Sequence, residues 1–248
     1  MKKNEDLSQY KTAYQNSFKF NDENQLMLQW YASRIIQKAT VFDSVDMLSL
    51  GIGHGTVSQA IIRELEKRLK RYVIVEGSRD IIEAYNDEFK PGHHVELIHS
   101  YFENYHTDHL FDVIEMGFIL EHVDDPEYIL KHYRPFLKKN GIVFISVPNA
   151  KSLHRLIGKK AGLLKDVFQL SDYDLQLGHK RYFDLESIKE TIKKSGLKVV
   201  STEGVFLKPV TTDQLRSLNL SNEIMIALLQ IGMGYPDISN AILIEARN

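Results

Sequence analysis

The chain is predicted to be an α/β protein whose mostly parallel sheet is covered by helices on both faces. Three observations carry this prediction. From residue 45 onward, apolar runs of strand length alternate with stretches of helical periodicity. The runs are nearly continuous in Val, Ile and Leu, as strands buried on both faces must be. The first run, Met47 to Leu50, passes directly into the alternating glycines Gly51, Gly53 and Gly55, and a strand that ends this way in an α/β protein ends at a binding crevice.

Residues 1–20 carry Tyr10, Tyr14, Phe18 and Phe20 at helix-like spacings among polar residues, which predicts an ordered arm. A helix is expected over 22–39, with Leu26, Trp30, Ile35 and Ile36 forming its apolar stripe, so residues 1–40 read as an N-terminal helical cap. VDMLSL is the first strand, and Val57 to Leu69 is the helix after the glycine turn. The second strand is expected over 72–78 and a helix over 79–89; Pro91 and Gly92 then turn the chain into a third strand, HVELIHS. FDVIEMG is the fourth strand, followed by a helix over 126–138 and a turn at Asn140 and Gly141 into the apolar fifth strand GIVFISVPN. Residues 149–183 break the rhythm and are too long for an ordinary connection, so they are expected to form a lid or substrate wall. Asp184 then caps a helix that stops at Gly196, and LKVVSTEGVFL is a strand. A helical stretch covers 212–232, and AILIEAR is the last strand. With no internal repeat, low-complexity segment or linker, residues 1–248 are expected to form one domain.

Composition narrows the chemistry. The absence of cysteine excludes disulfides, thiolate metal sites and cysteine nucleophiles. The lysines near the start are followed by polar residues where a leader would need an apolar segment, and no run approaches the ~20 apolar residues of a membrane span. A cytoplasmic protein without a membrane partner is expected. A net charge of −2 and a pI near 6.6 give no electrostatic drive toward nucleic acid. Of two basic runs, Lys67 to Arg71 is expected to end a helix and complement its dipole, and Lys159 to Lys165 is placed to meet an anionic substrate.

In an open parallel sheet, ligands bind beyond the carboxyl ends of the strands. Glu76 ends the second apolar run, where a carboxylate can accept hydrogen bonds from both hydroxyls of a ribose. The third strand leads into Ser100, Tyr101, Phe102 and Glu103, able to flank a base and accept from its amine. The fourth brings Glu115, Met116, Glu121 and His122 toward the same mouth. A dinucleotide fingerprint is incomplete, because Thr56 stands at the place of its third glycine, and no Gly-Lys-Ser/Thr follows the turn as in a P-loop. His93, His94, His106 and His109 fall in turns without a second cluster at ligand spacing, so no metal is expected.

Together, LSLGIGHG, Glu76, SYFEN, FDVIEMGFILEHVDDP, LKKNGIVFISVPN and GHKRYFDLESIKETIKKSGLKVV resemble the class I S-adenosylmethionine-dependent methyltransferases. Within that family the likeness is to the small-molecule group with an LEHVDDP-type fourth motif, and it spans roughly residues 45–205. One departure is Ser49, which stands where the family has an acid two positions before the first glycine.

The resemblance implies a Rossmann-like, mostly parallel seven-stranded sheet with an antiparallel last strand, binding S-adenosyl-L-methionine and releasing S-adenosyl-L-homocysteine. Its implied donor contacts are Gly51, Ile52, Gly53, Gly55, Glu76, Gly77, Tyr101, Phe102, Glu103 and Met116, with Tyr14 closing from the N-terminal arm. His122 is the candidate base. His179, Arg181 and Tyr10 are candidate acceptor contacts, Arg181 being suited to a bidentate grip on phosphate or carboxylate. The expected reaction is O-methylation of a small molecule, a nucleotide-linked sugar or related surface-polysaccharide precursor, with no nucleic-acid partner. The alternatives are an RNA or protein methyltransferase, or a non-catalytic S-adenosylmethionine-binding protein; oligomeric state is not readable from the sequence.

Overall fold

A computed structural model describes residues 21–248. Helix α1 (Asn21–Ala39) precedes β1 (Val45–Leu50), α2 (Thr56–Leu65), β2 (Leu69–Glu76), α3 (Arg79–Phe89), β3 (Val95–His99), β4 (Phe111–Gly117), α4 (Pro126–Tyr133) and β5 (Leu137–Pro148). Then follow α5 (Leu153–Lys160), α6 (Asp172–Gln176), α7 (Leu185–Lys194), β6 (Lys198–Val205), α8 (Thr212–Ser217), α9 (Asn222–Gly232) and β7 (Ala241–Arg247). The seven strands form one sheet in the order β3-β2-β1-β4-β5-β7-β6, with β1 to β5 parallel and β7 antiparallel to both its neighbours. This is the expected Rossmann-like arrangement, and its order reverses between β1 and β4, where a crevice opens.

Strand alternation explains why both faces are apolar. Leu48, Leu50, Ile114 and Met116 pack with Ile129, Tyr133, Ile188 and Ile192 of α4 and α7 on one face. Met47, Tyr72 and Val113 pack with Tyr31 and Ile35 of α1, Ile61 of α2 and Leu229 of α9 on the other. Helix α1 is further tied to the sheet by Arg34 to Glu203 at 2.7 Å and Lys38 to Glu245 at 2.8 Å.

Several boundaries differ from expectation. Helix α2 stops at Leu65 because Leu69 is already the register partner of Val45, so the basic run at 67–71 is a turn and strand start, not a helix end. Helix α4 stops at Tyr133 because Pro135 has no N–H with which to continue the helical hydrogen bonds; one tight turn follows and β5 starts at Leu137. Asn140 and Gly141 lie inside β5, absorbed by an irregularity that carries the β4–β5 register from Phe111↔Leu137 to Val113↔Ile142. The stretch 212–232 is two helices, parted near Asn219, whose φ of 45° no helix accommodates. Among the described residues, no helix is long and apolar enough to cross a membrane.

Candidate functional site

A cavity of about 900 Å³ lies over the carboxyl ends of β1, β2 and β4. That is near the upper end of the ~300–1,000 Å³ of small-molecule sites. Its first half is built by the glycine turn. Gly51, Gly53 and Gly55 have φ of 79°, 55° and 74°, a backbone region that side-chain-bearing residues avoid. At Gly51 a Cβ would also meet Ile119 Cδ1 at 3.0 Å. Gly51 N–H donates to Val75 O at 2.8 Å, which draws the turn over β2 and its last residue, Glu76.

Glu76 is buried, and its carboxylate accepts from Ile52 N–H at 3.0 Å and Ser78 N–H at 2.8 Å. Burial raises its pKa, while these backbone donors oppose the rise. A carboxylate has about four lone-pair sites, so two remain for a diol. Gly51, Ile52, Gly53, Glu76, Gly77, Tyr101, Phe102 and Glu103 all border the cavity, as the sequence reading expects of a donor pocket. Tyr133 Oη donates to Phe102 O at 3.0 Å and fixes that turn.

The floor holds a carboxyl that the sequence brings to the mouth without a role. Ser49, in the place of the family's acid, is buried with its Oγ 2.8 Å from Tyr72 Oη. Its register partner on β4 is Glu115, which also borders the cavity. Glu115 Oε1 accepts from Tyr31 Oη at 2.7 Å and from Gly117 N–H at 2.6 Å. Burial pushes this carboxyl up to about 7, against the opposing hydrogen bonds from Tyr31, Ser49 and Gly117.

After β4 the chain turns sharply. Phe118 takes φ of 58°, costly for a non-glycine residue, and its ring meets Tyr31 edge-on with centroids 6.0 Å apart. The following turn brings Glu121 and His122 into the second half of the cavity, where His179 approaches from the 149–183 segment and its exit. The two imidazoles stand edge to face, 4.8 Å between centroids. Burial, and secondarily His179, holds the His122 pKa at about 3, so its ring is neutral at physiological pH. Glu121 is fully buried, and burial pushes its carboxyl up to about 7. His179 Nδ1 lies 3.3 Å from Asp174 Oδ1. Burial alone would raise the Asp174 carboxyl, but hydrogen bonds from His179 and Ser171 outweigh it and hold it well below the usual carboxylate range. Tyr182 Oη donates to Asp174 at 2.9 Å, and the Arg155 guanidinium stacks 4.1 Å above the Tyr182 ring.

Some predicted contacts fall elsewhere. Met116 packs into the α4/α7 core, because alternation along β4 sends Glu115 and Met116 to opposite faces. Gly55 supports the turn from behind, where a Cβ would meet Phe89 at 2.9 Å, and does not border the cavity. Arg181 does not border it either: its guanidinium donates to the carbonyls of Leu120, Val123 and Asp124, at 3.4, 2.6 and 3.1 Å, and pins the turn that carries Glu121 and His122. Lys159, Lys160 and Lys165 likewise lie off the cavity wall. Tyr10 and Tyr14 lie outside the described residues, as does the arm over 1–20. Glu115 and Glu121, expected at the mouth but given no role by the sequence, both border the cavity, and so does Asp174, which carries no signal in the sequence.

A family model described as a methyltransferase domain matches residues 16–202. A ubiquinone biosynthesis O-methyltransferase of Pseudoalteromonas translucida (strain TAC 125) is 29% identical over 176 residues, 69% of this chain and 70% of that protein. Among solved structures, a methyltransferase of Haloferax volcanii in complex with the Trm112 methyltransferase activator superposes with a TM-score of 0.67 at 12% identity, over 98% of this chain and 97% of that one. The N-methyltransferase NodS of Bradyrhizobium japonicum WM9, bound to S-adenosyl-L-homocysteine, gives 0.55 at 14% identity, over 94% and 89%.

Proposed function

This chain belongs to the methyltransferase-domain family, and we propose that it transfers the methyl group of S-adenosyl-L-methionine to an oxygen of a small hydroxylated molecule. One observation carries the reading: the glycine turn, Glu76 and the Glu121–His122–His179 cluster open into the same cavity. When bound, the donor supplies an electrophilic methyl on a sulfonium. The chain's own part is to hold donor and acceptor in line, which is worth up to ~7–11 kcal/mol.

Glu76 is placed to accept the ribose hydroxyls, and Tyr101, Phe102 and Glu103 to border the base. Glu115 is our candidate for the carboxyl that Ser49 lacks, since the two residues are paired across β1 and β4 and a carboxylate there would face the donor's amine. The residues at 149–183 serve as the acceptor-side wall, through His154, Arg155, Tyr173 and Asp174. For the acceptor we propose a nucleotide-linked sugar or related surface-polysaccharide precursor. Its support is a wall of imidazoles, carboxylates and tyrosines suited to hydroxyl groups; the cavity's Arg155 and Lys208 are engaged with Val167, Gln169 and Tyr182 and with Glu23 and Thr212, and Arg181 and the insertion lysines lie off the wall. His122 was the expected base, but a ring with a pKa near 3 takes up a hydroxyl proton poorly. Acceptor activation is therefore assigned to the cluster as a unit.

The test is incubation with methyl-labelled S-adenosyl-L-methionine and a panel of nucleotide sugars, phenols and amines. Label appearing on an oxygen, with S-adenosyl-L-homocysteine in equal amount, is the expected result. Thermal stabilisation by NAD in place of S-adenosyl-L-homocysteine would overturn the reading.

A further inference from the structure

Glu121 is the least compensated polar group in the cavity. It is fully buried, and neither carboxylate oxygen accepts a hydrogen bond from another described residue. Leaving such a group unmade is costly. The basic side chains nearby in sequence are engaged elsewhere: Lys180 Nζ lies 2.8 Å from Asp124, and Arg181 is spread over three carbonyls. A cation entering this end of the cavity would satisfy it.

The surroundings specify what it is. A carboxylate oxygen of Glu121 and one ring nitrogen each of His122 and His179 lie within 4.8 Å of one another. An oxygen stands outside the cluster beside each imidazole: Asp174 Oδ1 lies 3.3 Å from His179 Nδ1, and the Gly178 carbonyl neighbours His122. An outer partner that takes one ring N–H leaves the other nitrogen as a lone-pair donor, the arrangement found around metal-bound histidines. The two contributing segments are also stapled together, by Lys180 N–H donating to the Glu121 carbonyl at 2.8 Å. Ligands ~2.1 Å from a common centre lie about 3–3.5 Å apart, so the three groups need to close by roughly 1 Å.

We propose that Glu121, His122 and His179 form a divalent-cation site, open toward the acceptor half of the cavity and suited to a transition cation such as zinc, manganese or iron(II). Two imidazoles and one carboxylate on one side of an ion leave coordination positions free. This deepens the acceptor chemistry proposed above and rests on it for its catalytic meaning, although cation binding can be measured without it. An acceptor hydroxyl on the cation loses its proton to solvent more readily. Its oxygen then bonds to the methyl carbon as the carbon–sulfur bond breaks, with that electron pair returning to sulfur; the products are a methyl ether, a neutral thioether and one proton.

The test is calorimetry and visible spectroscopy of the full chain, stripped with chelator and titrated with Co²⁺ and Zn²⁺. One equivalent should bind. Glu121→Gln and His179→Asn should each weaken binding by more than about tenfold, and Asp174→Asn by about tenfold. Glu121→Gln is the variant protected against misfolding: without cation it should melt no lower than wild type, because it removes an uncompensated charge, and it should lose the cation-induced rise in Tm. His106→Asn, an exposed histidine away from the cavity, should bind as wild type does. No binding, or affinity unchanged by Glu121→Gln, or equal weakening by His106→Asn, would overturn the site. S-adenosyl-L-homocysteine binding is measured on the same preparations. Intact donor binding without cation binding refutes the metal site alone; cation binding without donor binding refutes the methyltransferase reading.

Discussion

Glu115→Gln isolates the carboxyl on the cavity floor. In the folded chain this group titrates near 7, against an ordinary 4.5, because burial disfavours its charge. Between those values the unfolded chain has released the proton that the folded chain keeps, so stability falls as pH rises through this window and the full loss is present above it. The difference between those two values corresponds to about 3 kcal/mol. Gln cannot ionise. Its amide oxygen can keep the bonds from Tyr31 and Gly117, and its NH₂ can donate to Ser49, so little packing should be lost. Without ligand, Glu115→Gln should therefore equal wild type near pH 4.5 and exceed it by about 1–3 kcal/mol at pH 8, read by urea unfolding at several pH values. At ~2–4 °C per kcal/mol, the thermal midpoint should rise by several degrees. The same variant should bind S-adenosyl-L-homocysteine more weakly above pH 7, since the carboxylate proposed to face the amine is gone. Parallel stability curves for the two proteins would refute the assigned titration. Equal donor affinity would refute the placement of Glu115 in Ser49's stead.

Glu76→Ala should weaken S-adenosyl-L-homocysteine binding by about 1–3 kcal/mol in calorimetry, the scale of charged hydrogen bonds left unmade; undiminished affinity would remove Glu76 from the donor site. Arg181→Ala should lower stability to chemical denaturation by about 1–3 kcal/mol, by leaving the carbonyls of Leu120, Val123 and Asp124 without their donor. Because that side chain lies off the cavity wall, its loss should depress turnover through a displaced turn, and a purely KM effect on an anionic acceptor would instead reinstate it as a substrate contact.

What the sequence reveals about this site depends on how local the determining physics is. The three glycines were legible because positive φ is a property of single residues, and all three take it. Glu76 was legible because an acid closing an apolar run has to lie at a strand end. Glu115 and Met116 are both expected at the mouth, and only Met116 reads as a donor contact, for the opposite reason: in a strand buried on both faces, periodicity cannot say which of two successive residues looks into the crevice. That choice is set by the register of β4 against β1 and β5, a long-range fact. The histidines show the same limit more sharply. Ligand spacing was sought along the chain, and His93, His94, His106 and His109 offered none. His122 and His179, which meet in the cavity, lie on segments joined only by the fold. Arg181, two residues beyond His179, illustrates how a cation can be drawn away from a ligand by the backbone: a turn as tight as 118–124 leaves carbonyls without partners, and a guanidinium with five donors satisfies three of them at once. The residue that looked most like a substrate contact thus supports the turn, and Glu121 on that turn, which the sequence brings to the mouth without a role, is left without a hydrogen-bond partner among the described residues.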